Sequence, residues 1–61
     1  MDQLSEKELN GLNELLNEEE LLVKKFRMLA THSQDSEVKS KFEEIANRHQ
    51  EHFMSLYSQL R

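Results

Sequence analysis

The strongest constraint on this chain is a spacing: Leu9, Leu12, Leu16, Glu19, Val23, Phe26 and Ala30 follow one another in alternating steps of three and four residues. That is the period at which side chains return to one face of an α-helix, and it has no counterpart in a strand, where the period is two. Leu15, Leu22 and Leu29 form a second row beside the first, which widens a coiled-coil seam into the broader face of a bundle helix. Val38, Phe42, Ile45, His49, His52 and Leu56 repeat the pattern later in the chain, with Ala46, Phe53 and Leu60 in the adjoining row. The absence of proline, the single glycine and the abundance of Leu, Glu, Lys and Gln agree with an all-helical chain.

Local signals place the helix ends. Ser5-Glu6-Lys7-Glu8 has the form of a capping box, flanked by Leu4 and Leu9 at the positions of a hydrophobic staple. The only polar, turn-prone cluster in the middle of the chain is Thr31-His32-Ser33-Gln34-Asp35-Ser36, in which Asp35 is the expected cap of the next helix. The reading is one domain over residues 1–61, with helix 1 at about 6–31, a turn at about 32–35 and helix 2 at about 36–60. Gly11 falls inside helix 1 and reads as tolerated there, with a close helix approach as the alternative.

A connection this short makes the two helices antiparallel neighbours. Sixty-one residues without cysteine are too few to close a sizeable core with two helices and no staple. The expected solution is a homodimer, in which the same face of each hairpin meets itself and four antiparallel helices enclose one core. A higher oligomer is the other option, since Leu21, Met28 and Met54 lie outside the main stripe where they could cover a further contact. A formal net charge of −4, with Lys and Arg mixed among Glu, argues against nucleic acid as a partner. The start Met1-Asp2-Gln3-Leu4-Ser5-Glu6 lacks the basic and apolar regions of a signal peptide, and no membrane-length apolar run follows. With no cysteine, a cytoplasmic setting is the expectation.

Three members of the seam are polar and chemically capable: Glu19, His49 and His52. Glu19 and His49 lie equally far on either side of Gln34, so a turn centred there sets them at one height, roughly 22 Å away at a rise of about 1.5 Å per residue. Residues three apart share a helix face, so His52 joins His49. A twofold axis through the core would bring a second set to the same layer, giving two glutamates and four histidines. Such ligands suit iron, manganese or zinc. An unpaired buried carboxylate costs several kcal/mol, on the order of 3–5, which favours a partner or a metal for Glu19. The alternative is a layer without a cofactor, in which Glu19 pairs with a protonated histidine and fixes the register of the bundle.

Beyond this layer the chain reads as surface and packing. Glu18 and Glu20 are expected in solvent, while Glu43, Glu44 and Glu51 pair with Lys39, Arg48 and neighbouring bases. His32 is expected at the turn and Tyr57 in a packing role.

The segment from Glu19 through Phe26 to Leu29-Ala30, together with Phe42-Glu43-Glu44-Ile45-Ala46-Asn47-Arg48-His49-Gln50-Glu51-His52, resembles the rubrerythrin branch of the ferritin-like superfamily. In that family two such hairpins in one chain form the bundle, and the second helix of each ends in a Glu-x-x-His ligand pair. The resemblance covers a little over half of this chain. It implies that Glu19 matches the family's first glutamate ligand and His52 its histidine, whereas His49 stands in place of the bridging glutamate. That departure removes a carboxylate from each half-site and opens zinc or a single metal as options. The implied function is a metal-binding, iron-type bundle with oxidase or peroxidase activity. Short coat-like hairpin proteins of spore-forming bacteria also look similar, and for those a structural, spore-associated role without catalysis is implied.

Overall fold

The computed structural model describes residues 4–60. Residues 1–3, on which the reading of the chain's start partly rests, and residue 61 lie outside the described residues. Helix α1 spans Glu6–His32, helix α2 spans Ser36–Tyr57, and a single 3-10 turn, Ser58–Leu60, ends the described chain. The pair forms an antiparallel hairpin, and no strand occurs among the described residues.

The caps account for both starts. The Ser5 hydroxyl accepts from the Glu8 N–H at 3.0 Å, and the Glu8 carboxylate accepts from the Ser5 N–H at 2.9 Å. This reciprocal pair satisfies donors that a first helical turn leaves without intrahelical partners. The Asp35 carboxylate caps α2 by accepting from the N–H groups of Glu37 and Val38, each at 2.9 Å. Hydroxyls close the end of α1: Thr31 donates to the Arg27 carbonyl and Ser33 to the Leu29 carbonyl, each at 3.0 Å.

Two boundaries differ from the sequence reading. His32 is the last residue of α1 rather than part of the turn, because its Nδ1 donates to the Met28 carbonyl at 3.0 Å and extends the helix by its own side chain. At the other end the α-helix stops at Tyr57, where the Ser58 N–H turns back to the Leu56 and Met54 carbonyls and the chain tightens into the 3-10 turn.

Two contacts between the helices fix their register, Glu19 with His49 and Phe26 with Phe42, whose ring centroids lie 6.0 Å apart. Among the described residues only Leu16, Val23, Ala30 and Ala46 are buried. Burying a large apolar side chain stabilises by about 1.5–3 kcal/mol, whereas ordering each residue's backbone costs about 1–2 kcal/mol, so four small or medium side chains are a thin core. One side of the expected stripe accordingly stays open. Leu15 and Val38 are each 45% exposed, while Leu22, Leu29 and Ile45 are half-buried. Leu9, at the outer end of the seam, is also exposed.

Leu21, Met28 and Met54 lie outside the stripe and are exposed. Gly11 has nothing within 4 Å of where a Cβ would stand, so within the hairpin it marks no close helix approach. Of the surface pairings expected from sequence, Arg48 with Glu44 forms at 2.9 Å. Tyr57 stacks on Phe53 with centroids 6.1 Å apart, in keeping with a packing role. No helix among the described residues is long and apolar enough to cross a membrane.

Candidate metal centre

Glu19 projects from the middle of α1, and His49 and His52 from the facing stretch of α2. Each can offer one ligand atom, and those atoms all lie within 4.8 Å of one another. The sequence expectation that these three side chains share one level is met. Their surroundings differ in a way the spacing did not foretell.

Glu19 and His49 are largely enclosed, with side chains 17% and 22% exposed, whereas the His52 side chain is 59% exposed. The reason lies in how α2 is turned. Ala46 is its most buried residue, so the side of α2 bearing Ala46 and the half-buried Phe53 faces α1, while the exposed Val38 and His52 turn outward with Ile45 half-buried between them. Within one hairpin His52 is therefore not an inward-facing seam residue.

The His49 Nδ1–H donates to Glu19 Oε1 at 2.6 Å, short enough for a charge-assisted hydrogen bond. His52 Nδ1 stands 3.4 Å from the other oxygen, Oε2. The His49 ring lies nearly parallel to that of Phe26, with centroids 5.8 Å apart and planes 14° apart, and the His52 ring meets it edge-on at 5.6 Å. Beside the cluster is an open hollow of about 320 Å³ lined by Leu15, Glu19, His52, Ser55 and Leu56. Among the described residues no buried side-chain nitrogen or oxygen lacks a hydrogen-bond partner.

The donor set fits a transition-metal ion. Two imidazoles and a carboxylate are a recurrent three-ligand combination for zinc and iron, and Leu15 and Leu56 are the apolar members of the adjoining hollow's lining. Sequence reasoning identified Phe26 as a seam residue but missed its place beneath His49. The available signal was its position one heptad after Glu19. Ser55 was also missed, although it lies three residues after His52 and hence on the same face.

Comparison with protein-family models, curated proteins and solved structures finds no match to this chain.

Proposed function

We propose that this chain binds a transition-metal ion at the Glu19, His49 and His52 cluster, and that two hairpins close through their open faces into a ferritin-like four-helix bundle of the rubrerythrin type. The observation that carries the metal reading is the convergence of one carboxylate and two imidazoles within 4.8 Å, from helices that the fold brings together. Two of the three, Glu19 and His49, are mostly enclosed, and His52 completes the cluster from its open side. The self-association reading is supported by the open row of Leu15, Leu22, Leu29, Val38 and Ile45, which a second copy would cover. Iron, manganese and zinc all suit the ligands.

Metal analysis of protein purified without an affinity tag tests the first part. Stoichiometric metal in the wild type, lost in Glu19→Ala and in His52→Ala, is the expected result. Metal-free protein that dimerises and is indifferent to chelator would reject it. Oxidase or peroxidase activity is the catalytic extension of this reading. It is dropped if iron-loaded protein consumes no peroxide and its spectrum does not respond to oxygen.

The second reading is favoured by the 2.6 Å hydrogen bond between His49 and Glu19, which needs no cofactor. Here the polar layer sets the register of a structural hairpin, as a buried polar residue does in coiled coils. The two readings separate in acid: a metal site weakens as protons compete for its imidazoles, whereas an ion-pair layer is strongest with the histidines charged.

A further inference from the structure

Within the metal-binding reading, on which this inference rests, we infer that the cluster is divided by role: Glu19 and His52 face the ion, and His49 is the residue that positions Glu19. Distances separate the histidines first. Two ligands on one tetrahedral ion with bonds of about 2.0–2.1 Å stand about 3.3 Å apart. The 3.4 Å between His52 Nδ1 and Glu19 Oε2 matches that edge. The 2.6 Å between His49 Nδ1 and Glu19 Oε1 is too short for it and is the length of a hydrogen bond with a proton between the atoms.

The lining of the hollow separates them again. Glu19 and His52 both border it, together with Leu15, Ser55 and Leu56, and His49 does not. His49 is instead held from two sides, by Glu19 through its Nδ1–H and by the face of Phe26. A ring stacked and hydrogen-bonded in this way has little freedom to turn toward an ion. It is well placed to fix one carboxylate oxygen and leave the other directed at the hollow.

Ligating carboxylates are commonly hydrogen-bonded by just such an outer partner, whose loss weakens metal binding about 10–100-fold. Each hairpin then contributes one oxygen and one nitrogen. A four-coordinate set is incomplete until a second copy of the chain supplies the same pair, so ion binding and pairing of hairpins are coupled.

The test is calorimetric titration of zinc, iron and manganese into the wild type and of zinc into His49→Asn, His49→Leu and His52→Ala, with nitrogen NMR of the histidine rings in zinc-loaded wild type. Circular dichroism confirms that each variant keeps its helices. Zinc is expected to shift a ring nitrogen of His52 while the His49 Nδ1 keeps its proton. His49→Asn, whose amide nitrogen takes the position of the ring Nδ1 that donates to Glu19, should bind within about tenfold of wild type, and His49→Leu about 10–100-fold more weakly. His52→Ala should not bind. A coordination shift on a His49 nitrogen, or binding by His49→Asn as poor as by His52→Ala, overturns the division of roles while leaving the metal site standing. Wild type that takes up no zinc, iron or manganese overturns the site itself, and the division with it.

Discussion

At the scale of single residues, Glu8 links the start of α1 to pH. Its carboxyl is held below its ordinary value of 4.5 by the hydrogen bond from the Ser5 backbone N–H, and secondarily by the Ser5 hydroxyl. The folded value thus lies below the unfolded one. The contribution is fully present above the unfolded value and is lost as pH falls through the folded one. The advantage of wild type over Glu8→Gln in thermal midpoint should therefore shrink on going from neutral pH into acid. An advantage that grows in acid would contradict the capping-box assignment. Gly11 gives a stability prediction of the opposite sense: with open space where its Cβ would stand, Gly11→Ala should raise stability by about 1 kcal/mol, read by chemical denaturation.

At the scale of the elements, α1 and α2 approach through alanines. Ala30, near the turn, and Ala46, at mid-hairpin, are 3% and 1% exposed, so small side chains set the closeness of the helices at both levels. Ala46→Leu should force them apart and cost about 1–3 kcal/mol, with a loss of near-ultraviolet dichroism before far-ultraviolet dichroism. Asp35→Ala, which removes the cap of α2, should cost about 1 kcal/mol.

Both caps, both helices and the common level of Glu19, His49 and His52 were legible in the sequence, because capping chemistry and helical rise act locally and repeat. The direction from which α1 meets α2 was not. A three-and-four spacing defines a stripe wider than one neighbouring helix can cover, and which edge of it is buried depends on packing around Ala46. That is why the exposure of His52, the outward turn of Val38 and the stacking of His49 on Phe26 emerged only from the structure. The end of α1 was missed by one residue for a similar reason, since a side-chain bond from His32 to its own helix leaves no mark on the spacing.

At the scale of the whole molecule, the hairpin measures 47 × 17 × 10 Å, so it is one helix thick. Its stability should depend on concentration if a second copy covers the leucine face. Sedimentation and thermal midpoints over a dilution series should then report a dimer that loosens on dilution, and Leu22→Glu should shift it to monomer at all concentrations. A midpoint independent of concentration would count against pairing. The two broad sides of this plank are unlike. One carries the leucines and the open hollow. The other has a groove in which Arg27, Thr31, Lys39, Glu43 and Asn47 surround the two buried alanines. A sheet-like object greasy on both sides would stack without limit, whereas one with a single greasy side runs out of adhesive surface after its first embrace. If two copies close over the leucine face, this lopsidedness leaves Leu21, Met28 and Met54, all exposed, as apolar side chains outside the joined faces.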